Sequence, residues 1–239
     1  MELIWANNVF SMISVIQEHL RRYDIRYDTL EHRKEMTIFD IGANIGQSCI
    51  EFRKHYCFAD IYCFEPVNET FLQLTETANK LENKSKIFCY NLALGSEDKT
   101  ETLFLKENSL LNSLANNEAS EANNQSIEVQ IMTLDSFCSL HQIKKIDLLK
   151  LDVEGYEISV LKGAEKLLTS NLVTFLAVEV GFLQNDLQHT SFFDLHQYLN
   201  SRGYKLWGFY EQCRYKSSEG LALGYCNALY INAILANSN

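Results

Sequence analysis

The sequence predicts an α/β fold, a doubly wound and mostly parallel sheet with helices on both faces. Two stretches and one order of elements carry that prediction. Thr37–Gln47, TIFDIGANIGQ, reads as a short buried strand, a turn of small residues and a helix start. Ile146–Leu168, IDLLKLDVEGYEISVLKGAEKLL, repeats the pattern with an apolar strand, an acidic turn and helical spacing. Around and between them strands and helices alternate, which is the pattern of parallel sheets built from crossover units.

The chain of 239 residues is 46% hydrophobic and 22% charged, the balance of a globular domain with a sizeable core. Its net charge of -10 argues against nucleic acid as a partner, because neutralising phosphates needs clustered Lys and Arg. The seven cysteines are scattered, form no CxxC and sit partly in apolar runs such as IYCF and IFCY. They read as reduced buried thiols, and with no signal-peptide pattern at the start they point to a cytoplasmic protein. No run reaches the length of a membrane span, so no integral membrane segment is expected. Oligomeric state is not legible.

From the start, Val9, Ile13, Ile16 and Leu20 stand at helical spacing in Asn7–Arg22. Residues 1–36 are therefore expected to be an N-terminal helical extension, with Tyr23–Glu35 as a polar connector to a domain spanning 37–239. In that domain Thr37–Ile41 is the first strand and Gly46–His55 the first helix. Gly42, Ala43 and Asn44 form the turn between them, where absent side chains let backbone approach a ligand and a helix start offers N–H groups to an anion. Asn44 stands where a dinucleotide fingerprint has its second glycine, and Asn tolerates left-handed backbone better than most residues.

Asp60–Phe64 is the second strand, followed by Glu65-Pro66, and proline suits the first turn of a helix. Glu65 stands where a carboxylate can accept both ribose hydroxyls of a nucleoside. The alternative is a solvated charge at a helix start, and the glycine turn upstream at the right distance favours the ribose role. A helix over Val67–Leu81 and a strand over Lys86–Asn91 follow. The small residues Leu92, Ala93, Leu94 and Gly95 then stand where an adenine would lie. Thr102–Leu105 and Ile127–Met132 read as a pair of strands. The polar Lys106–Ser126 between them has the length and composition of a functional loop.

After a short helix over Leu134–Leu140, strand Ile146–Leu151 ends at Asp152 and Glu154, beside Gly155. Carboxylates there lie on the sheet edge where open α/β folds bind ligands, or they cap the following helix. Val173–Val180 is a buried strand with a lone carboxylate, Glu179, which requires a ligand, a metal or a donor to satisfy it. Ser191–Asn200 is helical. Lys205–Tyr210 and Cys226–Asn232 are the last strands, with polar and aromatic Gln212–Gly224 between them.

The runs DIGANIG (Asp40–Gly46), FEP (Phe64–Pro66), NLALG (Asn91–Gly95) and KLDVEGYEISVLKGA (Lys150–Ala164) together resemble the FkbM family of S-adenosylmethionine-dependent methyltransferases. The resemblance implies a Rossmann-like class I methyltransferase fold, a seven-stranded, mostly parallel sheet with an antiparallel last strand. It implies that Asp40, Gly42, Ala43, Asn44 and Gly46 border the methionine part of S-adenosylmethionine. It implies too that Glu65 and Pro66 meet the ribose, that Ala93, Leu94 and Gly95 flank the adenine, and that Asp152 faces the cofactor. Asp152, Glu154, Glu179 and His189 become the candidate bases for a hydroxyl of a small-molecule or glycan acceptor. His189, in NDLQHTS, also fits an ordinary loop residue. Mg2+ held by Asp152 and Glu179 is conceivable, but no dense ligand motif demands a metal. Two rivals share the strand-turn-helix, an NAD-dependent oxidoreductase and a non-catalytic nucleotide-binding module.

Overall fold

The computed structural model describes residues 2–5, 12–13, 16–17, 36–104, 114, 126–183, 186, 188–217 and 220–236. Strand β1 (Glu2–Trp5) comes first, then β2 (Thr37–Ile41), α1 (Gln47–His55), β3 (Asp60–Phe64), α2 (Asn68–Asn79) and β4 (Ile87–Tyr90). The short strands β5 (Ala93–Leu94), β6 (Lys99–Phe104) and β7 (Ser126–Met132) follow, with α3 (Leu134–Leu140) after them. The second half holds β8 (Ile146–Leu151), α4 (Glu157–Lys162), α5 (Glu165–Thr169), β9 (Val173–Gly181) and α6 (Phe192–Asn200). It closes with β10 (Tyr204–Ser217), β11 (Gly220–Asn232) and α7 (Ala233–Ala236).

The main sheet runs β1-β10-β11-β9-β8-β2-β3-β4. Strands β4, β3, β2, β8 and β9 are mutually parallel, and β11 enters antiparallel between β9 and β10. Leaving β1 aside, this is the expected seven-stranded order with a reversed last strand. Strands β5, β7 and β6 form a separate three-stranded sheet, which includes the expected pairing of β6 with β7.

The alternation of side chains along the central strands builds one core on each face. Phe39 and Ile41 of β2 join Leu149 and Leu151 of β8 on one side, and Ile38 joins Leu148 and Phe175 on the other. All of these are essentially fully buried, and each such side chain contributes about 1.5–3 kcal/mol. Phe39, Phe64, Tyr62 and Tyr90 stack side by side across β2, β3 and β4, and Phe137 of α3 meets them edge-on. Buried Arg53 donates to the carbonyls of Tyr56, Cys57, Ala59 and Lys86, which ties the turn after α1 to the start of β4.

Three expectations need correction. The N-terminal extension is not wholly helical, because Glu2–Trp5 pairs antiparallel with β10 as an edge strand. Met12, Ile13, Ile16 and Gln17 are helical as expected, with Ile16 fully buried. The last two strands run beyond Lys205–Tyr210 and Cys226–Asn232 into the polar and aromatic Gln212–Gly224 segment between them. That segment is largely strand within the β10–β11 hairpin, where Cys213 is buried and a register shift between Tyr210 and Cys213 takes up the left-handed Glu211. The helical spacing expected after Gly155 is split at Gly163 into α4 and α5, and Gly163 packs so closely that a Cβ there would lie 1.9 Å from the carbonyl oxygen of Gly95. The loop expected over Lys106–Ser126 lies outside the described residues except for Leu114 and Ser126, the first residue of β7. The connector Tyr23–Glu35 lies wholly outside them.

Candidate active site

The carboxyl ends of β2, β3, β4 and β8 surround a cavity of about 280 Å³. It lies where the chain order reverses around β2, the switch point at which open α/β sheets bind ligands. Gly42, Ala43 and Asn44 form one wall, with Gln47 and Ser48 of α1. Glu65, Pro66, Ala93 and Leu94 form a second, and Lys150, Asp152, Glu154 and Tyr156 a third.

The turn after β2 is held from both sides. Phe64 O accepts from the N–H groups of Gly42 and Ala43 at 3.1 and 3.0 Å, so these two donors are not offered to an anion. Gly42 has φ +77°, and a Cβ there would lie 1.8 Å from Asp152 O. Only glycine therefore lets the turn after β2 touch the end of β8. Asn44 does adopt left-handed backbone, φ 49°. Its side-chain oxygen accepts from the N–H of Ile45 at 2.7 Å.

Glu65 is 6% exposed at the end of β3, and its Oε1 accepts from the N–H of Val67 at 2.9 Å. Burial raises its pKa to about 7, against the pull of backbone N–H groups from Val67 and Asn44. Opposite it, Lys150 Nζ lies 3.0 Å from Asp152 Oδ2 and 3.4 Å from Asp40 Oδ1. Burial alone would lower the Lys150 pKa; Asp152, Asp40 and Glu179 reverse this and hold it raised. Asp40 is fully buried behind Lys150, its oxygens lack a hydrogen bond among the described residues, and burial raises its pKa.

The acidic turn after β8 is pinned by Glu157, not capped by Asp152 or Glu154. Glu157 Oε1 accepts from the N–H groups of Val153 at 3.0 Å and Gly155 at 3.3 Å, and Oε2 accepts from the hydroxyl of Thr190. Glu154 is itself left-handed, φ 53°, and lines the cavity. Beside this turn Glu179 rises from β9, its pKa raised to about 9 by burial, then by Asp152 and Glu154. His189 lies next to it, Nε2 to Glu179 Oε2 at 3.6 Å and Nδ1 to Asp186 Oδ2 at 2.8 Å. Its ring stacks on Tyr225 at 4.3 Å.

Nine sequence-predicted positions line the cavity: Gly42, Ala43, Asn44, Glu65, Pro66, Ala93, Leu94, Asp152 and Glu154. Three do not. Asp40 stands behind Lys150 and reaches the cavity only through it. Gly46 has φ +96° at the start of α1 and packs on Leu74 and Thr77. Gly95 is where α4 and α5 pack against the turn after β5. Glu179 and His189 are off the wall but gather with Glu154, the ligand-type atoms of all three lying within 4.8 Å of one another. Lys150, Glu157 and Asp186 were not singled out from the sequence. Each left a signal: a lysine inside an apolar strand, a carboxylate three residues beyond Glu154, and an Asp three residues before His189.

The strand order, the single reversed strand and the cavity at the carboxyl ends are those of a Rossmann-like class I methyltransferase. A family model for the methyltransferase FkbM domain matches residues 40–206. The chain belongs to the FkbM methyltransferase family. It is 28% identical over 151 residues to the hexuronic acid methyltransferase AglP of Haloferax volcanii, covering 63% of this chain and 58% of that protein. It is likewise 28% identical to Methyltransferase 1 of Beauveria bassiana, covering 58% of this chain and 62% of that one. The chain thus spans about three fifths of the length of these relatives. A crystal structure of methyltransferase FkbM from Methylobacillus flagellatus KT superposes with a TM-score of 0.54 at 16% identity, over 83% of this chain and 44% of that one. Among the described residues no helix is long and apolar enough to cross a membrane.

Proposed function

We propose that the chain transfers a methyl group from S-adenosylmethionine to a hydroxyl oxygen of a sugar or another small-molecule or glycan acceptor. The observation that carries this reading is Glu65, a nearly buried carboxylate at the end of the second parallel strand, on the wall of a cavity bordered by the Gly42–Asn44 turn. A buried carboxylate on a cavity wall suits a ligand with paired hydroxyl donors, and a ribose has them. Leu92, Ala93 and Leu94 offer an apolar face for adenine. Asp152 and Glu154 supply negative charge where the cationic methionine end is proposed to lie. Family membership favours this donor over the nicotinamide nucleotides, and the AglP likeness favours a sugar acceptor.

When bound, the sulfonium supplies an already activated methyl group. The protein's proposed work is then to hold the acceptor oxygen in line and close. Lys150 and Glu157 fix the acidic turn on which that alignment depends. The acceptor hydroxyl gives up its proton toward the group formed by Glu154, Glu179 and His189, a contribution of about 10²–10⁴-fold for such catalysis. The test is incubation with S-adenosylmethionine and a panel of uronic acids and neutral glycans, read by mass spectrometry. Transfer to oxygen, slowed in Glu179→Gln with cofactor affinity little changed, supports the reading. Cofactor binding without transfer to any acceptor would favour the non-catalytic module.

A further inference from the structure

The most unusual side-chain grouping is at the edge of the cavity, and it comes from three elements distant in sequence. Glu154 belongs to the turn after β8, Glu179 to β9, and His189 to the segment before α6. His189 Nε2 and Glu179 Oε2 are 3.6 Å apart, too far for a hydrogen bond. Two ligands bound at about 2.1 Å to one ion at a tetrahedral angle are about 3.4 Å apart, so the separation suits a shared ion. All three ligand-type atoms fall within 4.8 Å of one another.

A second observation concerns the imidazole alone. The His189 side chain is 7% exposed, and its Nδ1 is committed to Asp186. Asp186 is itself fixed, its Oδ1 accepting from the N–H groups of Gln188 at 2.9 Å and His189 at 3.2 Å. A proton on Nδ1 leaves a lone pair on Nε2, and that atom has no hydrogen bond among the described residues. A carboxylate behind a histidine whose other nitrogen faces two further carboxylates is the arrangement that orients metal ligands. The packing keeps it: a Cβ on Gly181 would stand 2.7 Å from Asp186 Oδ2 and 3.0 Å from the Cβ of His189. Glu179 likewise lacks a hydrogen-bond donor to its carboxylate among the described residues, although its side chain is only 16% exposed.

We infer that Glu154, Glu179 and His189 bind a divalent transition-metal ion, with Asp186 positioning the imidazole. Two carboxylates and one imidazole suit Mn2+, Fe2+ or Zn2+ better than the all-oxygen Mg2+ site conceivable from the sequence. Asp152 takes no part, being paired with Lys150. The inference deepens the methyl-transfer reading, and on that reading alone a bound ion would favour loss of the acceptor's proton to water, with Glu154, Glu179 and His189 acting through the ion instead of taking the proton themselves.

The test is metal binding without turnover. The full chain is freed of metal with a chelator and titrated with Mn2+ by electron paramagnetic resonance, with Zn2+ by competition. One site per chain is expected, weakened at least tenfold in Glu179→Gln and in His189→Asn, and about 10–100-fold in Asp186→Asn, which keeps all three ligands. Glu154→Gln, on the half-buried turn after β8, gives a variant less prone to folding loss. Thermal unfolding and S-adenosylhomocysteine calorimetry on the same samples report separately on the fold and on the cofactor reading. Absence of a stoichiometric Mn2+ or Zn2+ site, or a site unchanged in folded variants, would overturn the inference.

Discussion

Replacing Glu65 with Gln should make the protein more stable while weakening its site. Glu65 carries a raised pKa of about 7 against an ordinary 4.5, caused first by burial. Between those values the native chain keeps a proton that the unfolded chain has released. Stability therefore falls as pH rises from about 4.5 to 7 and levels off above. The penalty is about 1 kcal/mol near pH 5 and about 3 kcal/mol near pH 8, at about 1.36 kcal/mol per pH unit. Gln removes the titration and can still accept from the N–H of Val67 through its side-chain oxygen. The variant's advantage should widen by about 2 kcal/mol from pH 5 to pH 8, or roughly 4–8 °C in Tm for a chain of this size. Urea unfolding of both proteins across that range measures it. A variant less stable at pH 8, or an advantage that does not grow with pH, would refute the burial argument and with it the reading of Glu65 as a carboxylate held on the cavity wall for a ligand.

Three further outcomes follow from the same geometry. Gly42→Ala, with a Cβ directed into Asp152 O and a left-handed backbone, should lose about 2 kcal/mol or more and distort the cavity; chemical unfolding checks it, and wild-type stability contradicts it. Lys150→Met should cost about 3–5 kcal/mol by leaving buried Asp40 without its cation, and Asp40→Asn in the same chain should restore part of that loss in a double-mutant cycle. Glu157→Ala should lower turnover at least tenfold by leaving the N–H groups of Val153 and Gly155 and the hydroxyl of Thr190 without their acceptor; unaltered kinetics would show that the turn holds itself.

The parallel sheet was legible because its signals are local. The apolar runs of β8 and β9, and the strand-turn-helix at Thr37–Gln47, state their structure within about a dozen residues. The cavity wall was legible for the same reason, since Gly42–Asn44, Glu65–Pro66 and Asp152–Glu154 each follow directly from a strand end. What was not legible depends on distant packing. The close packing of Gly163 on Gly95 joins distant parts of the chain, and nothing near Gly163 reveals it. Asp40 looks like a ligand residue in DIGANIG, yet Lys150 stands between it and the cavity. The length of β10 and β11 was hidden by polar residues tolerated along a twisted hairpin that carries a register shift. The grouping of Glu154, Glu179 and His189 has no motif spacing, because the parallel sheet brings it together from three elements.

Calorimetric titration of the purified chain with S-adenosylmethionine, S-adenosylhomocysteine and NAD, beside Glu65→Ala, decides whether the cavity takes a sulfur nucleoside. Micromolar binding of both sulfur nucleosides, clearly weakened in the variant, and no binding of NAD are expected. A folded wild-type chain that binds neither sulfur nucleoside, or binds NAD instead, would contradict the methyl-transfer reading.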